Sequence, residues 1–190
     1  MRVIAGSARR IMLAAPPGLA TRPTTDRTKE TLFNIISREL ADCRFLDLFA
    51  GSGAIGIEAL SRGAGQAVFV EQDRAALSCI EENLKRTRLK DGAKVLAMDA
   101  AGALQYLKAD GKPFDIIFMD PPYRTGWTER ILQLLADSPV CGAHSLVIAE
   151  EALETDFTSA EESGFEVSRE KKYRTSKHVF LMRKENTGSR

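Results

Sequence analysis

Hydrophobic and polar positions along this 190-residue chain fall into blocks whose period changes in a regular order. Short apolar runs near residues 45–49, 67–71, 94–98, 114–119 and 145–150 predict buried strands. Between them apolar residues recur at three- and four-residue spacing, which predicts helices near 54–62, 73–89, 100–108 and 127–137. Asp73 is a capping residue and Gly63 a stop signal for these helices. An earlier helix, capped by Thr25 or Asp26, is predicted to run to about Leu40, with Leu32, Ile35, Ile36 and Leu40 toward the core. Strands alternating with helices build parallel strand–helix–strand units, hence an α/β fold with a doubly wound sheet covered on both faces. Beyond residue 160 the pattern changes. Phe165-Glu-Val and Lys177-His-Val-Phe-Leu-Met alternate without a long helix between them and predict an antiparallel hairpin at the sheet edge. At the other end, Arg2-Val-Ile-Ala and Arg10-Ile-Met-Leu flank a turn at Gly6-Ser7 and predict a small β-hairpin, followed by a loop with Pro16, Pro17, Gly18 and Pro23. The polar tail Glu185–Arg190 is expected to be disordered.

Composition narrows the class without naming a chemistry. A hydrophobic content of 44% with 28% charge is that of an ordinary globular protein, and the length suits one well-cored domain. No apolar stretch approaches the ~20 residues of a membrane span. The basic N-terminus is not followed by an apolar secretion signal, so a cytoplasmic location is expected. Cys43, Cys79 and Cys141 lie far apart with no CxxC spacing, and His144 and His178 are the only histidines, so neither a metal site nor a histidine base is expected. The net charge of +1 conceals an uneven distribution. Residues 1–40 carry seven basic against three acidic side chains, residues 169–190 carry eight against two, and the stretch between carries twelve against twenty-one. Two basic ends around an acidic middle point to a polyanion-binding surface.

Two motifs carry chemistry. Gly51, Gly53 and Gly56 form a G-x-G-x-x-G after the first core strand, with acidic Glu71 at the end of the next strand. This also fits a dinucleotide site, because glycines let the backbone approach a ligand and the acid receives ribose hydroxyls. Asp47, ahead of the glycines, favours S-adenosylmethionine: it can meet the ligand's amino-acid part, where a dinucleotide site needs N–H groups facing a pyrophosphate. Asp99, ending the third strand, is placed to accept from the adenine amino group. The second motif is Asp120-Pro121-Pro122-Tyr123, directly after the apolar run that ends at Met119. An exocyclic or amide nitrogen is a poor nucleophile because its lone pair is delocalised. Acceptors on its N–H groups, here Asp120 and the Pro121 carbonyl, draw it toward a tetrahedral shape. The rigid Pro121-Pro122 pair would hold them and Tyr123 would stack on the base. The expected chemistry is methyl transfer to nitrogen.

Met1-Arg-Val-Ile-Ala-Gly6, Arg22-Pro-Thr-Thr-Asp-Arg27 with Lys29-Glu-Thr-Leu-Phe-Asn34, Phe49-Ala-Gly-Ser-Gly53 and Asp120–Tyr123 together resemble the bacterial small-subunit ribosomal RNA guanine-N2 methyltransferase family. The resemblance covers nearly the whole chain, and the Arg-Pro-Thr segment is its most discriminating part. It implies a Rossmann-like class I S-adenosylmethionine-dependent methyltransferase with a seven-stranded, mostly parallel sheet and an N-terminal hairpin extension. It also implies 16S rRNA in an assembling small subunit as partner, S-adenosylhomocysteine as product, and a monomer. The domain layout expected is an RNA-binding extension over 1–24, the methyltransferase domain over 25–184 and the tail over 185–190. Departures lie at Arg10 and Ile11, where a glycine and a further basic residue are common, and at Arg174, where glycine is frequent.

The expected cofactor residues are therefore Asp47, Phe49, Gly51, Gly53, Glu71, Gln72, Asp99 and Ala100, and the catalytic ones Asp120, Pro121, Pro122 and Tyr123. Arg2, Arg9, Arg10, Arg22, Arg27, Lys171, Lys172 and Arg174 are expected to hold RNA phosphates. The competing readings are a DNA adenine-N6 methyltransferase, a protein-glutamine methyltransferase, which usually has Asn where this chain has Asp120, and a non-enzymatic RNA chaperone.

Overall fold

A computed structural model describes residues 1–16 and 26–184 of the chain. Pro17, Gly18, Arg22, Pro23, the Thr25 cap and the 185–190 tail lie outside the described residues. The predicted alternation appears as β1 (Arg44–Asp47), α2 (Ala54–Ser61), β2 (Gln66–Glu71), α3 (Arg74–Thr87), β3 (Ala93–Ala97), α4 (Ala100–Leu107), β4 (Phe114–Met119), α5 (Trp127–Ala136) and β5 (Cys141–Ala152), preceded by α1 (Asp26–Ile35). A short α6 (Thr158–Glu162) leads into the antiparallel pair β6 (Phe165–Lys172) and β7 (Ser176–Arg183). The seven strands lie in the order β3-β2-β1-β4-β5-β7-β6, with β1 to β5 parallel and β7 antiparallel to both its neighbours.

Each face of the sheet buries its own cluster. Phe45, Phe69, Phe118, Ile148 and Phe180 meet Leu32 and Phe33 of α1, Ile57 of α2 and Ile80 of α3. On the other face, Leu46, Val68, Ile117, Val147 and Leu181 meet Leu104 of α4 and Leu132 of α5. Strand alternation sends neighbouring residues to opposite faces, so strands buried on both sides read as the continuous apolar runs seen in the sequence. No helix among the described residues is long and apolar enough to cross a membrane.

One expectation needs correction. Helix α1 ends at Ile35 instead of near Leu40. After Ile36 N–H bonds to Leu32 O, the chain tightens into turns closed by Glu39 N–H to Ile36 O and Cys43 N–H to Leu40 O, which bring Leu40 into the core ahead of β1. The N-terminal hairpin is present but short: the antiparallel bridge Arg2 to Met12 is flanked by Val3 N–H to Ile11 O, Arg10 N–H to Val3 O and Leu13 N–H to Met1 O. Its turn gives further amides to α2: Ile4 and Ala5 N–H donate to Glu58, Ser7 N–H to Ser61 O and Ala8 N–H to Ser61 Oγ. Gly6, with φ +83°, lies so close that a Cβ would stand 1.7 Å from Ser61 O. Val3, Ala8 and Leu13 are buried, so residues 1–16 pack as part of the core cluster.

Candidate active site

Strand order reverses between β1 and β4, and the crevice above such a switch point is where open α/β sheets bind ligands. A cleft of about 1390 Å³ lies there, lined by the chain segments that follow β1 to β4, by Glu150 of β5 and by the β6–β7 turn.

The glycine motif forms one side. Ala50 N–H donates to Val70 O at 3.0 Å, tying the loop to β2, and Gly51 and Gly53 carry φ of +54° and +78°. Gly56 is needed for close approach: a Cβ there would meet the Phe69 ring at 2.3 Å, so only glycine lets α2 sit on β2. Of the residues expected to hold a cofactor, Phe49, Gly51, Glu71, Gln72, Asp99 and Ala100 line the cleft. Gly53 and Asp47 do not. Gly53 is the residue before α2, its carbonyl accepting from Ile57 N–H, and Asp47 is 1% exposed beneath the loop, Oδ2 accepting from Gly56 N–H at 3.1 Å. Asp47 Oδ1 is buried without a hydrogen-bond partner among the described residues. Burial raises the Asp47 carboxyl to about 7, against the pull of the Gly56 and Phe49 amides and with the Glu71 charge adding to the rise. Both residues thus shape the loop from behind.

Glu71 accepts three backbone N–H bonds: Gly51 to Oε2 at 2.8 Å, and Gln72 at 2.8 Å and Asp73 at 2.9 Å to Oε1. A carboxylate has about four lone-pair sites, so about one remains for a ligand hydroxyl. Asp99 Oδ1 caps α4 through Gly102 N–H at 2.8 Å, and its other oxygen belongs to an exposed residue at the cleft. Phe49 and Trp127 meet edge-to-face at 5.9 Å in the wall. An acid behind an open glycine backbone, a second acid at the next strand end and aromatic walls fit the ribose, adenine and apolar surface of S-adenosylmethionine.

The other side is the Asp120–Tyr123 segment, all four residues of which line the cleft. Burial, then the charges of Glu150, Asp47 and Glu151, raise the Asp120 carboxyl well above the usual carboxylate range. Tyr123 is 38% exposed, and burial together with Glu150 raises its hydroxyl too. Thr125 Oγ1 donates to Pro122 O at 2.6 Å and pins the loop.

Sequence reasoning missed what stands beside Asp120. Glu150 Oε2 lies 3.1 Å from His178 Nε2, Glu150 Oε1 accepts from Ser176 Oγ at 3.3 Å, and His178 Nδ1 lies 2.9 Å from the Tyr173 hydroxyl. One signal was available: Glu150 follows the apolar run Leu146–Ala149 as Asp120 follows Phe114–Met119. His178, Ser176 and Tyr173 had none, because only the pairing of β7 with β5 brings them there.

The basic residues divide. Arg27, Lys171, Lys172 and Arg174 line the cleft. Arg2, Arg9 and Arg10 are exposed but do not line it, and Arg2 Nε instead donates to Asp26 at 3.0 Å. The cleft thus has carboxylates within and cations from α1 and the β6–β7 turn.

A family model described as Conserved hypothetical protein 95 matches residues 1–182. The chain is 41% identical over 155 residues to ribosomal RNA small subunit methyltransferase D of Escherichia coli (strain K12), covering 81% of this chain and 76% of that relative. It is 40% identical over 156 residues to YlbH of Bacillus subtilis (strain 168), named a candidate rRNA methyltransferase, covering 82% and 85%. The solved structure of yhhF from Escherichia coli, described as a candidate methyltransferase, superposes with a TM-score of 0.81 at 37% identity, covering 97% of this chain and 98% of that one.

Proposed function

The chain belongs to the Conserved hypothetical protein 95 family, together with ribosomal RNA small subunit methyltransferase D, and from that premise we propose that it methylates the exocyclic N2 amine of a guanine in 16S rRNA, using S-adenosylmethionine. The observation that carries this reading is the meeting of the Asp120–Tyr123 segment and the glycine loop in one cleft with Arg27, Lys171, Lys172 and Arg174. When bound, S-adenosylmethionine supplies an electrophilic methyl group and leaves as S-adenosylhomocysteine. Phe49, Gly51, Glu71, Gln72, Asp99 and Ala100 would hold it.

The acceptor base, unstacked from its RNA neighbours, lies against the Tyr123 ring. Asp120 accepts one N–H of the amine and the Pro121 carbonyl the other, concentrating the nitrogen lone pair toward the methyl group. Positioning and electrostatic complementarity supply the acceleration, with no covalent enzyme intermediate. Phosphates on either side of the base meet the basic residues of the cleft. The protein works as a monomer on an assembling small subunit, where the target guanine is still reachable.

Incubation with radiolabelled S-adenosylmethionine and, separately, naked 16S rRNA, immature small subunits, DNA and protein tests the reading. Nuclease digestion and mass spectrometry of the labelled product should find N2-methylguanosine from small-subunit RNA. Label on adenine N6 of DNA or on protein glutamine would replace this reading with one of its competitors. Preferential binding of NAD in calorimetry, with no binding of S-adenosylmethionine or S-adenosylhomocysteine, would end it.

A further inference from the structure

The pairing of three strands sets a row of ionisable groups side by side at the floor of the cleft. Met119 pairs with Ala149 across β4 and β5 and Glu150 with His178 across β5 and β7, while Asp120 and Glu150 are the residues that directly follow the first of these pairs. Both line the cleft, and Glu150 is 6% exposed. A second carboxylate buried beside the first is costly, because like charges at close range cannot both ionise cheaply. Here Glu150 is met by the Ser176 hydroxyl, which donates to it, and by His178 Nε2 at 3.1 Å, and the His178 ring, fully buried, lies in turn against the Tyr173 hydroxyl. None of the residues that support Glu150 is among those expected to hold the cofactor.

Resting on the methyltransferase reading above, we propose that Glu150 is a second catalytic carboxylate. With Asp120 it forms a pair that carries one negative charge between them and takes the proton released by the acceptor nitrogen, while His178 and Ser176 are positioning residues. The step balances. The nitrogen lone pair forms the N–C bond as the S–C bond breaks, and the S–C electron pair stays on sulfur. The nitrogen, now cationic, gives one proton to the pair, which becomes neutral. One positive charge enters with the sulfonium and one negative charge waits on the pair, so the floor stays near neutrality throughout. The proton returns to solvent when the products leave.

Burial and the Glu150 charge are the two largest causes of the raised Asp120 carboxyl. The other groups facing the pair are Asp47 from β1 and Glu151 from β5, the latter held by the Thr128 hydroxyl of α5. Tyr123 and Tyr173 face it as hydroxyls, and Lys177 of β7 is engaged by Glu170 at 2.7 Å.

The first test needs no methyl transfer. In full-length protein carrying ¹³C-labelled carboxyls, Glu150→Gln should move the Asp120 midpoint downward in an NMR titration. The second test follows turnover against pH. Glu150→Gln should lower kcat about 10²-fold, as expected for loss of a general base, and shift the acid limb to lower pH, since Asp120 alone is a weaker acceptor. Ser176→Ala removes a donor to the ionised carboxylate and should shift that limb the opposite way, and Glu150→Asp should recover part of the rate. S-adenosylhomocysteine affinity should stay within twofold in all three variants. An unmoved Asp120 midpoint, or wild-type turnover and pH profile in Glu150→Gln, would overturn the proposal and leave the methyltransferase reading intact. A wild-type protein that methylates no RNA, DNA or protein would overturn both. If Glu150→Gln does not fold, opposite limb shifts are lost as a criterion and the Ser176→Ala shift alone decides, an unshifted limb overturning the proposal.

Discussion

At the scale of single residues, the site depends on acids whose charge is expensive. Asp120 is held above the usual carboxylate range by burial first and by Glu150 second, so it gains its charge only as pH rises. Turnover should therefore climb with pH through the upper part of an acid limb, measurable as kcat against pH. Asp120→Ala should cut turnover by roughly 10²-fold or more while calorimetry finds cofactor affinity nearly unchanged, since the lost acceptor matters most as the amine changes shape. Asp47 makes a separate, structural prediction. Its carboxyl rises on folding from the ordinary aspartate value to about 7, so the folded chain holds a proton that the unfolded chain releases. That contribution to stability is full below the unfolded value and is lost as pH rises toward 7. Asp47→Asn keeps an acceptor for Gly56 N–H without the charge. Urea titrations at acid pH and at pH 8 should show wild type losing up to roughly 4 kcal/mol more than the variant.

At the scale of elements, the tie between the N-terminal turn, α1 and α2 is the most exacting feature. Lys29 is 0% exposed, with Nζ 3.1 Å from Glu58 Oε2 and donating to Arg2 O at 2.7 Å. Glu58 also accepts from Ile4 and Ala5 N–H and from Arg62 Nε, two donors to each oxygen. Removing one partner of a buried pair leaves the other charge under-compensated, at about 3–5 kcal/mol. Lys29→Met should lower stability by that order in urea unfolding and speed hydrogen exchange at Ile4 and Ala5. The sequence carried a hint: Lys29 stands on the same helical stripe as Leu32, Phe33 and Ile36, where an apolar residue belongs. Because α1 also carries Arg27 into the cleft, a loosened α1 should weaken RNA binding as well.

At the scale of the whole molecule, charge is sorted by depth. Among the described basic residues, Arg27, Lys171, Lys172 and Arg174 share the cleft, whereas Arg2, Arg9 and Arg10 do not line it. If cations in the cleft grip phosphates, replacing those four by alanine should weaken RNA binding and flatten its salt dependence by about one unit of slope for each phosphate no longer held. Arg9→Ala with Arg10→Ala should change the slope less. Filter binding across salt concentrations decides, and equal slopes in both sets would mean that RNA spreads over the N-terminal turn too. Cofactor affinity should stay unchanged in each set.

The order of elements, the doubly wound sheet and both motifs were legible from sequence because each depends on neighbours along the chain: period two or 3.6, a glycine where backbones crowd, an acid at a strand end. The 165–183 hairpin was legible for the same reason, as alternation over adjacent residues. Tertiary structure alone decided what crosses between strands. Glu150 and His178 are 28 residues apart and meet through β5–β7 register, Asp120 and Glu150 through β4–β5 register, and Lys29 finds Glu58 only when α1 packs on α2. It also placed Asp47 and Gly53 outside the lining of the cleft and gave Glu71 three backbone N–H bonds. Lateral register and burial depth arise from packing the whole sheet at once, and a local pattern of hydrophobic and polar positions does not encode them.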